Sequence, residues 1–282
     1  MPGDLYSTYL TRFHEWLKPR NYVEIGVAAG ATIVLANPPT IAVGIDPLPS
    51  IRNTPARTAT KIYPLPSDEY FAKRDLRLDI EGDVVDLAFI DGLHLFEQAL
   101  RDFIHIEKYS DKKTTVLFHD CLPVDRLCAA REQTDFWAGD VWKVIVILDK
   151  YRPDLELFTI PTRPSGLGVV VGLDPLSTVL TDNFDSIVSE FMDMELPLDE
   201  VERWKLLKVI DNNWENVQAR VEQRQKKPTL KVVSKKAVAK TVVAKTPAVK
   251  TVAAKTPAAK TPAAKKPAAK TAAAKKPRSA KA

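Results

Sequence analysis

Cysteine is scarce, with Cys121 and Cys128 the only two in 282 residues. Two thiols build no disulfide framework, and without a CxxC pair they point to no structural zinc. Two reduced thiols near a core are the expectation. Long apolar runs are missing as well: no stretch approaches the roughly 20 apolar residues of a membrane helix, so no membrane span is expected. The opening residues Met1-Pro-Gly-Asp-Leu-Tyr6 have neither a charged n-region nor an apolar h-region, so no secretory signal is expected there and a cytoplasmic location follows. The third absence is local. From Lys226 to Ala282 there is no Asp or Glu.

That absence splits the chain. The net charge is +5, yet 17 of the 41 Lys and Arg residues lie in 226–282. Residues 1–225 therefore hold 24 basic against 36 acidic residues and are acidic overall. The length suits one sizeable domain with an appendage, at about 100–200 residues per domain. Four segments are expected: an N-terminal helix in 1–20, a main domain in 21–175, C-terminal helices packed on it in 176–225, and a tail in 226–282.

Within the acidic part, apolar strand-like runs alternate with amphipathic helical patterns. Leu5, Tyr9, Phe13, Trp16 and Leu17 recur every three or four residues and predict a helix over 4–17, with Asp4 as N-cap and Pro19 as the stop. Strands are predicted at 22–25, 41–45, 61–65, 84–90 and 114–118. Short helices are predicted over 28–35 and from Ser67 as a cap. Leu95, Phe96, Ala99, Leu100, Phe103 and Ile104 form a helical stripe. Residues 142–151 fit both periods and are assigned to a helix, because a strand over 155–160 follows, with 168–172 as its antiparallel partner. Single helical patterns cover 176–193 and 198–224. Strands apolar on both faces, alternating with helices, mean an α/β fold with a mostly parallel sheet sandwiched by helices.

In such a sheet, ligands bind beyond the carboxyl ends of the strands, near the point where strand order reverses. Glu24-x-Gly26-x-x-x-Gly30 stands at one such end, where glycine allows a tight turn and close approach to a ligand. The spacing is not GxGxxG, which argues against a pyrophosphate-binding dinucleotide site. Asp46 ends the next strand, twenty residues after Gly26. A carboxylate there can accept both ribose hydroxyls of an adenosine ligand. Gly26 also reads as a plain turn residue, and Asp46 as a turn-forming Asp before Pro47.

Val23-Glu-Ile-Gly-Val-Ala-Ala-Gly-Ala-Thr32, with Asp46, resembles the first motif and ribose-binding acid of class I S-adenosylmethionine-dependent methyltransferases. Phe89-Ile-Asp-Gly-Leu-His-Leu-Phe-Glu97 with Leu117-Phe-His-Asp120 is similar to a branch with the pattern IDGxHxYE…HD, the small metal-dependent O-methyltransferases that act on sugars, antibiotics and related hydroxylated compounds. The resemblance covers about residues 20–172. Phe96 departs from the Tyr of that pattern, and His119 replaces a carboxylate.

The resemblance implies a Rossmann-like fold with a seven-stranded sheet in the order 3-2-1-4-5-7-6. It implies S-adenosylmethionine held by Glu24, Gly26, Gly30, Asp46 and Asp91, with Ser67 near the adenine. It further implies a divalent cation such as Mg²⁺ on Asp91, His119 and Asp120, catalysis by Asp91 with His94 as general base, and a small hydroxylated acceptor. Bland readings stand beside these: His119-Asp120 as a strand end with an Asp capping the next helix, and His94 as a helix N-terminal residue bonded to backbone.

In the tail, Lys recurs every five residues from Lys240 to Lys275. Five residues turn a helix by about 500°, so these lysines would spiral rather than line a face. Pro247, Pro257, Pro262, Pro267 and Pro277 would break such a helix. With few large apolar residues to repay ordering entropy, a disordered segment is expected. Its Lys/Thr/Pro/Ala composition resembles linker-histone tails and implies a nucleic-acid or other polyanion partner. A catalytically degenerate methyltransferase fold that binds nucleic acid through this tail is the competing functional reading.

Overall fold

The protein is described from a computed structural model, which covers residues 3–51 and 57–226. Helix α1 (Tyr6–Leu17) buries Tyr9, Leu10 and Phe13, as the spacing predicts. Its start differs. Asp4 does not cap it; Leu5 takes the N-cap position in extended backbone, because Tyr6 N–H donates to the Arg163 carbonyl and the Asp4 carbonyl accepts from Arg163. The Asp4 carboxylate instead pairs with Arg12 at 2.9 Å.

Seven strands form one sheet: β1 (Asn21–Ile25), β2 (Ile41–Ile45), β3 (Ala59–Tyr63), β4 (Leu87–Ile90), β5 (Thr115–His119), β6 (Glu156–Ile160) and β7 (Leu167–Val171). Their spatial order is β3-β2-β1-β4-β5-β7-β6, the order expected. The first five are parallel; β7 runs antiparallel to both β5 and β6. Strand residues alternate between two cores. Val23, Ile25, Ala88, Ile90, Val116 and Phe118 face one side, packed by α3 (Phe96–Glu107) and α4 (Lys143–Tyr151). Tyr22, Ala42, Leu87, Phe89 and Leu117 face the other, where α1 and α8 (Trp214–Lys226) contribute Phe13, Val217 and Val221. The doubly covered, mostly parallel sheet is a Rossmann-like α/β architecture.

Several local expectations are corrected by tertiary pairing. The helix expected over 28–35 is a single 3₁₀ turn, Ile33–Leu35, because Ala28 and Gly30 take positive φ (43° and 80°) and shape a loop. Strand β3 begins two residues earlier than predicted, paired with Ile41 through Ala59. Ser67 is not the cap of α2 (Ser67–Lys73) but its first residue, after Pro66. The pattern at 176–193 resolves into α5 (Val179–Asp182) and α6 (Phe184–Phe191). The pattern at 198–224 resolves into α7 (Glu200–Leu206) and α8. Between α7 and α8 the chain pairs with the exposed sheet edge, where Thr159 N–H donates to Lys208 O and Ile210 N–H to Thr159 O. That bridge satisfies edge groups a continuous helix would leave bare.

Among the described residues, no helix is long and apolar enough to cross a membrane. Lys226 closes α8, and the expectation for the basic tail otherwise falls on 227–282, outside the described residues.

Candidate active site

The switch in strand order lies between β1 and β4, and a cleft of about 660 Å³ opens there, beyond their carboxyl ends. Gly26 makes the junction possible. Its φ is +89°, its N–H continues the ladder to Ile45 O (2.8 Å), and a Cβ on it would lie 2.0 Å from the Asp91 carbonyl oxygen. Only glycine lets the two strand ends come this close.

Asp46, at the end of β2, lines the cleft and is 8% exposed. One of its oxygens accepts from Val27 N–H (2.9 Å) and Ala28 N–H (2.8 Å), and the other from Leu48 N–H (2.7 Å). The carboxylate thus holds the loop after β1 in shape with three of its roughly four acceptor positions and keeps one, on Oδ1, for a donor in the cleft. Glu24 and Gly30, predicted to touch the cofactor, are not in the cleft wall. Glu24 is wholly buried and accepts from the Tyr22 hydroxyl (2.6 Å) and Thr32 Oγ1 (2.7 Å). Burial pushes its carboxyl up to about 8. It braces the loop from behind through Thr32, which does line the cleft. Gly30 turns the loop against Ile51.

Ser67 lines the cleft from the start of α2, and its hydroxyl donates to Asp102 at 2.6 Å. Asp102 on α3 also lines the cleft although it is only 1% exposed. Burial pushes its carboxyl up to about 7 against the hydrogen bonds from Ser67 and Gln98.

At the β4 and β5 ends two imidazoles meet two carboxylates. His119 Nδ1 lies 3.1 Å from Asp91 Oδ1 and 3.4 Å from Asp120 Oδ2. His94 Nε2 lies 3.4 Å from Asp120 Oδ2 and 3.7 Å from Asp91 Oδ1. Burial alone would lower both histidines, but the Asp91 and Asp120 carboxylates outweigh it and raise them, His119 to about 10. Asp91 moves the other way: burial would raise it, and His119 and His94 hold it below the usual carboxylate range. Asp120 is fixed in the left-handed region (φ 60°), and its other oxygen accepts from Ser165. His94 Nδ1 faces the Trp137 carbonyl at 3.1 Å, an acceptor that fixes the proton on Nδ1 and turns Nε2 toward the carboxylates.

Asp91, His94 and His119 line the cleft, whereas Asp120 stands behind them. Asp91, His94 and Asp120 each offer a ligand atom within 4.8 Å of the others, so His94 joins the two carboxylates in a possible donor set where the sequence pointed to His119.

Tyr6, Gln98 and Asp102 line the cleft without having been singled out from the sequence. Tyr6 comes from α1 and lies over the His119 ring at 4.1 Å, a contact no local pattern encodes. Asp102 did carry a signal: three residues after Ala99 and next to Phe103, it is an acid on an apolar helical stripe. Other cavities among the described residues lie apart from these strand ends, including one along the amino half of β6 and one between α4 and Met192–Leu196.

Residues 23–121 match the family described as "Methyltransferase domain". The matched span runs from β1 to just past the end of β5 and takes in the strand ends that build the cleft. Glu24, Gly26, Gly30, Asp46, Ser67, Asp91, His94, His119 and Asp120 all fall inside the matched span. No curated protein matches the sequence.

Solved structures similar to the methyltransferase domain include the O-methyltransferase of Bacillus cereus in complex with SAH, at 14% identity over 59% of this chain and 80% of that chain, with a TM-score of 0.45. TomG of Streptomyces achromogenes, an O-methyltransferase involved in tomaymycin synthesis and in complex with SAM, is 13% identical over 60% of this chain and 80% of its own, with a TM-score of 0.45. The SAH-bound methyltransferase PaMTH1 of Podospora anserina is 16% identical over 60% and 78%, with a TM-score of 0.41.

Proposed function

We propose that the methyltransferase domain moves the methyl group of S-adenosylmethionine to an oxygen of a small hydroxylated acceptor. The observation that carries this reading is the layout of the one cleft. Asp46, which we read as the acceptor of a ribose hydroxyl, stands at the β2 end, and a base beside paired carboxylates stands two to three strands away.

The chemistry follows from these positions. The acceptor oxygen attacks the sulfonium methyl in line, so the C–O bond forms as the S–CH₃ bond breaks and S-adenosylhomocysteine leaves. The acceptor proton passes to His94 Nε2, whose partner nitrogen is held by the Trp137 carbonyl. Asp91 and Asp120 supply oxygen donors that fit a divalent cation such as Mg²⁺, with the His94 Nε2 lone pair left for the acceptor proton. Such a cation would supply positive charge that lowers the pKa of the acceptor hydroxyl. Tyr6, over His119, lines this end of the cleft, and Trp137 packs against His94. Nothing among the described residues favours the catalytically degenerate alternative.

Calorimetry with S-adenosylhomocysteine tests the reading. The wild type is expected to bind, and Asp46→Ala to weaken binding by about tenfold or more, since the loop loses its brace and the ribose its acceptor. Absence of binding to the wild type, or equal binding by Asp46→Ala, would abandon it.

A further inference from the structure

The cleft has a second polar end that methyl transfer itself does not use. Crossing the sheet from β3 to β5, the residues at the strand ends come in the order Ser67, Asp46, Gly26, Asp91, His119. Ser67 is thus at the far side of the cleft from the histidines, and Asp102 is bonded to it. Asp102 Oδ1 accepts from Ser67 Oγ (2.6 Å) and from Gln98 Nε2 (3.0 Å). The Gln98 amide N–H group is shared further between Ser67 Oγ and Asp68 Oδ1. Asp68 also takes Arg101 on its other oxygen.

Among the described residues, Asp102 Oδ2 has no hydrogen-bond partner, and it lies beside Gly92, where even an added Cβ would stay 3.8 Å away. A carboxylate this buried, on a helix face shared with Ala99 and Phe103, costs stability that an apolar residue would avoid. A carboxylate oxygen of a side chain this buried, open only toward a cleft, is matched by a ligand group that donates to it. The donors here are already committed, and above pH 7, where its carboxyl is ionised, what Asp102 offers the cleft is an acceptor. The matching ligand edge must donate N–H.

We infer that Asp102, oriented by Ser67 and Gln98, recognises the exocyclic amino group of the adenine of the bound cofactor and rejects a purine with a carbonyl at that position. The inference rests on the S-adenosylmethionine reading and adds its base specificity. A keto oxygen would face the Asp102 carboxylate with two acceptors opposed and no proton between them. Sites built to hydrogen-bond an N–H discriminate strongly against analogues lacking it, because the buried protein group is left unpaired.

The experiment compares S-adenosylhomocysteine with S-inosylhomocysteine, its 6-keto analogue, by calorimetry on the full chain. Wild type is expected to prefer the adenosyl compound by about tenfold or more. Asp102→Asn has nearly the same shape and turns an N–H toward the cleft, so its preference should fall by at least about tenfold or invert. Circular dichroism and melting of the variant verify its fold, and the wild-type comparison needs no variant. Wild-type affinities within about threefold of each other, or an Asp102→Asn protein with undiminished preference, would overturn the inference while leaving the cofactor assignment intact. Failure of the wild type to bind S-adenosylhomocysteine at all would sink both.

Discussion

His14 is 2% exposed, and neither of its ring nitrogens has a hydrogen-bond partner among the described residues; its ring meets Tyr22 edge-on at 4.5 Å. Burial lowers its pKa to about 4 from 6.5. Below pH 6.5 the unfolded chain gains a proton that the folded chain refuses, so this residue's contribution to stability is present above 6.5 and lost as pH falls toward 4. The full difference amounts to about 3 kcal/mol. Glu24 and Asp102 act in the opposite sense, because their raised carboxyls take up protons in the folded state before the unfolded one. His14→Phe keeps the aromatic contact and removes the titration. Its melting temperature relative to wild type should therefore rise steadily between pH 6.5 and 4, and a parallel pair of melting curves across that range would refute the assignment. Sequence spacing placed His14 on α1 beside Phe13 without showing which way it points. Glu24 was legible as an acid at a strand end, yet its position behind the loop follows from the β-strand alternation that sends Tyr22 and Glu24 to the same face.

At the scale of elements, the loop after β1 turns through three residues at positive φ, Gly26, Ala28 and Gly30. Gly26→Ala must accept φ +89° and push a Cβ into the Asp91 carbonyl at 2.0 Å, so either β1 or β4 must give way. Gly82 also has a positive φ (74°) but nothing within 4 Å of an added Cβ. Urea unfolding should therefore separate the two. Gly82→Ala should cost about 1 kcal/mol of backbone strain. Gly26→Ala should cost at least about twice that, with S-adenosylhomocysteine binding lost. Equal costs would mean the strand ends are not tightly apposed. The loop's glycines were readable in the sequence because a tight turn needs them. The break between α7 and α8 was not, since the residues around Trp204 and Trp214 keep a helical period and only pairing with the β6 edge interrupts it.

For the molecule as a whole, acidic and basic residues separate along the chain. Residues 227–282 hold Lys and Arg without a single Asp or Glu, and a polyanion partner for them is a reading from charge alone. A chain ending at Lys226 should bind S-adenosylhomocysteine as the full chain does. Binding of the full chain to double-stranded DNA should weaken steeply with salt, at a log–log slope of about −0.9 per phosphate neutralised, and should disappear in the shortened chain. Filter binding at several salt concentrations measures both. Equal DNA binding by the two chains would dismiss the tail as the binding element.

The sequence alone determined the alternation of strands and helices, the acid at the end of β2 and the glycine turn after β1, because periodicity and turn chemistry act over a few residues. It also brought Asp91 and His94 to one strand end and His119 and Asp120 to the next. Only the tertiary structure decided that all four converge, imidazole nitrogens 3.1 to 3.7 Å from carboxylate oxygens, that Tyr6 roofs His119, that Glu24 works from behind the loop, and that Asp102 opens into the cleft. Those relations depend on which strands neighbour one another and on how helices settle over their ends. Such contacts join residues dozens of positions apart, and no local pattern records them.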